Sequence, residues 1–232
     1  MQILLVSGST RASSGNTAAL RTAQAVAPAG IAAHLYDDLA ALPAFNPDDD
    51  HDPLPPPVRD LRQRIAVADA ILFCVPEYAG TLPGSLKNLL DWTVGGSEMA
   101  GKRAAWINVA SGGRGGGAQE HLAMVLGYVG AVAVEAACIQ LPVPRDAVQA
   151  DGTIADPAIR AALAEVLAAL ARTAGGRPLL RAGWREQLGA VLGREHLRPG
   201  DEGSSLVGVE RRWRLRPGGD GLADQGEELL LA

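Results

Sequence analysis

Aromatic side chains supply only 4% of the 232 residues, so any core must be built mainly from aliphatic side chains and alanine. Cysteine is scarce as well. Cys74 and Cys138 lie far apart inside apolar runs. Their spacing forms neither a metal site nor a disulfide framework and reads as two buried, reduced thiols. No apolar run reaches the ~20 residues that span a bilayer. The opening apolar stretch at residues 2–6 is too short for a secretory signal and lacks its basic leader. A cytoplasmic protein without a membrane partner is expected. Positive charge is not in excess either. The chain carries 21 Lys and Arg against 26 Asp and Glu, a net charge of −5. Nucleic acid therefore has no electrostatic claim on the molecule as a whole.

What is present is an alternation of short apolar runs and amphipathic stretches. Ile3 to Val6 ends at Gly8, as a strand buried on both faces does. Residues 16–27 read as a helix with Ala19, Leu20, Ala23 and Val26 on one side and Pro28 past its end. Residues 32–36 form a second strand, and the Pro- and Asp-rich segment 42–57 a loop. Val58, Leu61, Ile65 and Ala68 recur at helical spacing, and residues 70–75 form a third strand halted by Pro76. Leu86, Leu89 and Leu90 mark a helix after Pro83-Gly84. Residues 104–109 are a fourth strand, and Leu122, Val125, Leu126 and Val129 a further helix. Residues 132–141 contain a fifth strand, and Ile159, Leu163, Val166, Leu167 and Leu170 are the stripe of a last helix. This pattern predicts an α/β domain over residues 1–174, with a five-stranded, doubly wound parallel sheet covered by helices on both faces. Ligands of such sheets bind beyond the carboxyl ends of the strands.

Residues 175–232 break the pattern. They carry nine Arg and no Lys against nine Asp and Glu, so the whole net charge belongs to residues 1–174. Trp184, Leu188, Val191 and Leu192 suit one short helix, and residues 206–215 a strand or hairpin. This C-terminal extension reads as a partly ordered appendage packed on the domain. An arm embracing a second subunit is the sharper alternative.

Three loops leaving strands one, three and four have unusual composition. Residues 7–17 hold six hydroxyls (Ser7, Ser9, Thr10, Ser13, Ser14 and Thr17), together with Arg11 and Asn16, beside a helix N-terminus. Free backbone N–H groups and the helix dipole favour a phosphate there, and Arg11 adds a charge-assisted bond. Gly8 and Gly15 allow close backbone approach. Ser13 or Ser14 also suits a plain helix cap. Neither the three-glycine dinucleotide pattern nor a Walker Gly-Lys-Ser/Thr is present. Composition alone leaves nucleotide, sugar phosphate and flavin open. The second loop runs Pro76-Glu77-Tyr78-Ala79-Gly80-Thr81-Leu82-Pro83. Its prolines stiffen both ends, Tyr78 suits stacking on a flat ring, and backbone groups from Tyr78 to Thr81 suit the polar edge of a heterocycle. The third, Ser111-Gly112-Gly113-Arg114-Gly115-Gly116-Gly117, leaves backbone N–H groups bare. Of the four histidines none has metal or triad spacing, and His121 reads as a satisfied surface residue. The run Asp48-Asp49-Asp50-His51-Asp52 reads as a solvated loop rather than a cation site.

These segments resemble the NADPH-dependent FMN reductase family, whose domain is flavodoxin-like. Gly8-Ser9-Thr10-Arg11 with Asn16 looks like that family's FMN phosphate loop. Pro76-Glu77-Tyr78 through Pro83-Gly84-Ser85-Leu86-Lys87-Asn88-Leu89-Leu90-Asp91-Trp92 looks like its most recognisable segment, and Ser111-Gly112-Gly113 like its third flavin loop. The resemblance covers residues 1–172. It implies bound FMN, NADPH or NADH as co-substrate, a small-molecule acceptor such as a quinone, azo compound, chromate or free flavin, and a homodimer or homotetramer. It implies cofactor contacts from Ser9, Arg11, Ser14, Gly15, Asn16, Thr17, Pro76, Glu77, Tyr78, Ala79, Gly80, Thr81, Ser111, Gly112 and Gly113. Catalysis is left to the flavin, no metal is needed, and backbone N–H groups near Gly80 and Gly113 would stabilise its reduced, anionic form. Glu77 would pair across a subunit interface. Two departures stand out: Ala79 where the family usually has Asn, and Thr81 where it often has Ser. The competing expectations are a flavodoxin-type electron carrier, against which Arg11 and the Pro-Glu-Tyr segment argue, and a non-catalytic flavin-binding module.

Overall fold

The central strands are fed by residues with nowhere else to go. In the computed structural model, which describes residues 1–172, β1 (Gln2–Ser7), β3 (Ala70–Cys74) and β4 (Arg103–Asn108) are buried along nearly their whole length. With β2 (Ala32–Tyr36) they pair in the order β2-β1-β3-β4, all parallel. Side-chain alternation divides them between two cores. Leu4, Val6, Ile71, Phe73, Ala104 and Trp106 face α2 (Pro56–Val67), α3 (Gly84–Asp91) and α4 (Gly116–Tyr128). Ile3, Leu5, Leu72, Cys74, Ala105 and Ile107 face α1 (Gly15–Ala25) and α5 (Pro157–Arg172). The three-layer architecture expected from the alternation is therefore present. The expectations for residues 175–232 lie outside the described residues.

The fifth strand is the one element that differs in form. It is two pieces, β5 (Val132–Ala133) and β6 (Ile139–Gln140), separated by a single 3₁₀ turn at Glu135–Ala137. Both pair with β4, at Arg103–Ala104 and Ile107–Asn108 respectively. The turn carries Ala137 into the core shared with α5, where it is fully buried. Burying a small side chain there interrupts a strand that apolar periodicity alone reads as continuous.

Residues 42–55 are irregular apart from a short 3₁₀ turn, as their composition predicts, but they are firmly held; residues 56 and 57, expected in the loop, already open α2. Asn88 accepts from Phe45 N–H through Oδ1 at 2.7 Å and donates to the Pro43 carbonyl through Nδ2 at 2.8 Å. Trp92 Nε1 donates to the same carbonyl at 2.8 Å, and the Phe45 and Trp92 rings meet edge to face at 5.0 Å. Asp50 leaves the acidic run to pair with Arg62 at 2.6 Å, the two side chains being 9% and 11% exposed. Arg62 Nε also donates to the Trp92 carbonyl. On the other face of the sheet, Gln24 Nε2 donates to the Ala33 carbonyl of β2.

Removing one partner of a buried ion pair leaves the other charge uncompensated, which typically costs several kcal/mol. Arg62→Ala is therefore expected to lower stability by about 3 kcal/mol in urea denaturation. A loss below about 1 kcal/mol would put the pair with exposed surface pairs instead.

Candidate functional site

β1, β3 and β4 are consecutive in the sheet, so the three unusual loops leave neighbouring strand ends. The first and second touch at Gly8. Its N–H continues the ladder to the Cys74 carbonyl at 2.9 Å, and a Cβ on it would press on Val75, Pro76 and Leu86 at 3.1–3.3 Å.

Within the first loop the polar side chains divide into two sets. One set turns inward and organises the loop. Ser7 Oγ lies 2.8 Å from Thr17 Oγ1 and accepts from Ser9 N–H at 3.3 Å. Ser14 caps α1 by accepting from Asn16 N–H at 3.2 Å. Asn16 is buried, and its Oδ1 accepts from the Cys74 thiol at 3.3 Å. Burial pushes that thiol well above the usual cysteine range. The other set forms the mouth. Ser9 is half-buried, while Thr10, Arg11 and Ser13 are exposed. The Arg11 guanidinium donates to the Ser13 carbonyl at 2.7 Å, folding over its own loop. The first helical bond of α1 runs from Ala18 N–H to the Ser14 carbonyl, so earlier N–H groups such as that of Gly15 belong to the open end of the helix.

The second loop is a two-residue hairpin. Tyr78 and Thr81 exchange both backbone bonds, at 3.1 and 3.0 Å, around Ala79 (φ +50°) and Gly80 (φ +74°). Two successive left-handed residues match a type I′ turn. The N–H groups of Tyr78 and Thr81 are thereby committed, which leaves those of Ala79 and Gly80 for a ligand. Tyr78 is 54% exposed, and Pro76 half-buried at the loop's start. The Glu77 carboxylate accepts from Ala118 N–H of α4 at 3.4 Å.

The third loop hangs on Asn108, the polar last residue of β4. Its Oδ1 accepts from Ala110 N–H at 2.9 Å, and its Nδ2 donates to the Arg114 carbonyl at 2.8 Å. Between them Gly112 and Gly113 have φ near +70°, and Ser111 through Arg114 are exposed. Arg114 Nε donates to the Ser111 carbonyl at 3.1 Å. Asn108 was not among the residues singled out from sequence. Its signal was a single amide ending an apolar strand directly before a glycine run. His121 also differs from its reading: it is half-buried on α4, and its Nδ1 is enclosed with no hydrogen-bond partner among the described residues. Cys138 is half-buried and free, its thiol pushed up to about 12 chiefly by burial.

The loops thus combine hydroxyls and a guanidinium on one side with neutral backbone donors on the other. Among the described residues, a Cβ added at Gly80, Gly112 or Gly113 would touch nothing, so these backbones border space that no described residue fills. That donor set matches a group with an anionic phosphate end and a flat, neutral, hydrogen-bonding end. Ala79 bears a strain that Asn tolerates better, because an alanine in the left-handed region costs about 1 kcal/mol. Ala79→Asn is accordingly expected to raise stability by about 0.5–1 kcal/mol. A thermal denaturation in which this variant is less stable than the unsubstituted chain would contradict the turn geometry.

Comparison with known proteins places the chain in a family. Residues 1–142 match the NADPH-dependent FMN reductase family. An NAD(P)H-dependent FMN reductase of Pseudomonas aeruginosa is 34% identical over 174 residues, covering 73% of this chain and 93% of that protein. A 2-hydroxy-1,4-benzoquinone reductase of a Burkholderia species is 33% identical over 158 residues, covering 66% and 85%. Among solved structures, the flavoenzyme NAD(P)H:(acceptor) oxidoreductase of Paracoccus denitrificans superposes with a TM-score of 0.59 at 29% identity, covering 74% of this chain and 97% of that one. With its flavodoxin-like sheet, its three loops and the match over residues 1–142, the chain belongs to the NADPH-dependent FMN reductase family.

Proposed function

We propose that this chain is an FMN-dependent NAD(P)H oxidoreductase that passes reducing equivalents from NADPH or NADH to a small quinone-type acceptor. The observation that carries the reading is the meeting of three loops on adjacent strand ends, each with donors suited to a different part of FMN. When bound, the flavin supplies the hydride chemistry itself. The chain's residues bind and orient it. Arg11, Ser9, Thr10, Ser13 and the N-terminal N–H groups of α1 hold the phosphate, with Ser14, Asn16 and Thr17 keeping that loop in shape. The N–H groups of Ala79 and Gly80 and the backbone of Ser111, Gly112 and Gly113 meet the polar edge of the ring. Tyr78 offers an aromatic face beside it, while Pro76 and Thr81 fix the hairpin that carries these groups.

The acceptor class is supported by relatives named for quinones, including the Burkholderia enzyme and a quinone reductase of Escherichia coli that is 32% identical over 137 residues. Assembly as a homodimer or homotetramer and a cytoplasmic location complete the proposal. The exposed apolar side chains of Val94, just past α3, and Met124, on α4, support a subunit contact. No described helix is long and apolar enough to cross a membrane.

The purified chain is expected to show a yellow flavin spectrum that NADPH or NADH bleaches without oxygen and menadione restores. Bound flavin that neither nicotinamide bleaches would leave an electron carrier and end the reductase reading. Arg11→Ala is expected to weaken FMN binding by about 1.5–3 kcal/mol, the scale of a hydrogen bond to a charged group. A fluorescence titration giving the same affinity for both proteins would remove Arg11 from the phosphate site.

A further inference from the structure

Glu77 belongs to the second loop, yet its carboxylate serves the helix that follows the third. Ala118, whose N–H it accepts, is the third residue of α4. That N–H is one of the donors a helix cannot satisfy from within. A side chain on the residue just before the helix ordinarily takes it. Here that residue is Gly115, which has φ +91° and makes no cap. No side chain can be placed there, because the Asn108 amide occupies the position a Cβ would need. The first turn of α4 also contains no acidic residue. The cap is therefore brought in from the neighbouring loop. The two segments meet at a second point, where a Cβ on Gly117 would collide with the Gly80 carbonyl oxygen. Glu77, just before the hairpin, and Gly80, within its turn, thus both rest on the first turn of one helix.

We propose that Glu77 is a positioning residue with an electrostatic duty: it pins the 78–81 hairpin to α4, and its charge offsets the positive end of that helix beside the flavin ring. The second half rests on the FMN reading above. A helix N-terminus behaves as a fractional positive charge that favours nearby anions. With Glu77 in place, less of that charge is available to a reduced, anionic ring. Removing the carboxylate then makes the bound flavin easier to reduce.

Two variants separate the duties. Glu77→Gln keeps an acceptor oxygen and loses the charge, whereas Glu77→Ala loses both. In the FMN-loaded protein, E77Q is expected to bind oxidised FMN within about threefold of the unsubstituted chain, since its cap remains. Its two-electron midpoint potential is expected to rise by ~30 mV, a tenfold shift in the equilibrium between oxidised and reduced forms. E77A should show the same rise together with about tenfold weaker binding of oxidised FMN. Amide exchange at Ala118 in the flavin-free full chain gives an independent readout. It should be about tenfold faster in E77A and near the unsubstituted rate in E77Q. An unchanged potential in E77Q would overturn the electrostatic duty, and unchanged Ala118 exchange in E77A would overturn the cap. If the unsubstituted chain binds no FMN, the function above fails and the electrostatic duty with it. Exchange alone then decides the cap.

Discussion

Two hydrogen bonds from one amide govern how the open end of this molecule is built. Asn108 receives the Ala110 N–H and donates to the Arg114 carbonyl, closing the glycine loop into a fixed arch at the end of β4. Because the amide fills the space under Gly115, that residue can carry no side chain, and α4 begins without a cap of its own. The missing cap admits Glu77 from the preceding loop. Gly117 in turn admits the Gly80 carbonyl. A choice made at the end of one strand thereby fixes the relation of two loops. The first loop joins them through Gly8, whose lack of a side chain lets Val75 and Pro76 lie against it.

The layers of this fold, and the three loops that make up its candidate site, were legible because they depend on features that sequence records directly. Apolar runs between helical stripes define a sheet buried on both faces, and six hydroxyls with an arginine ahead of a helix mark a candidate anion site. What was not legible depends on where side chains point after folding. Asn16 and Thr17 also bond within the chain, Asn16 to Cys74 and Thr17 to Ser7, and composition records neither contact. Asp50 looks like one of several solvated carboxylates, but only a folded chain brings Arg62 beside it. Asn88 and Trp92 belong to the most recognisable segment of the family, and their side chains clamp the residue 42–57 segment. Family likeness marked these positions without revealing that purpose. The division of the fifth strand is not recorded in the sequence, because Ala137 is apolar like its neighbours and only its packing sets it apart.

The first loop divides its polar groups between those that hold it together and those left at its open face, and the division follows solvent. Groups that face the sheet must be satisfied by the protein, since an unpaired buried donor or acceptor costs about 1–3 kcal/mol. Ser7, Ser14, Asn16, Thr17 and the Cys74 thiol accordingly satisfy one another. Groups that face water carry no such obligation. Among the described residues Arg11 and Ser13 bond only within the loop, and exchanging that bond for one to an anion would uncover nothing in the core. Binding there requires no rearrangement of the buried layer, so the loop is preorganised beneath and adaptable above.

The interrupted fifth strand also has a consequence for how this sheet meets other chains. A parallel sheet ends in two strands whose outer N–H and C=O groups invite a further strand, and proteins that leave such edges long and flat are prone to aggregate. Here the edge beyond β4 consists of two-residue pieces bent apart by the Glu135–Ala137 turn, too short to template a partner. At the opposite edge Gln24 occupies the Ala33 carbonyl of β2. A small defect in regular structure thus acts as a stop, closing one side of the sheet to uncontrolled growth.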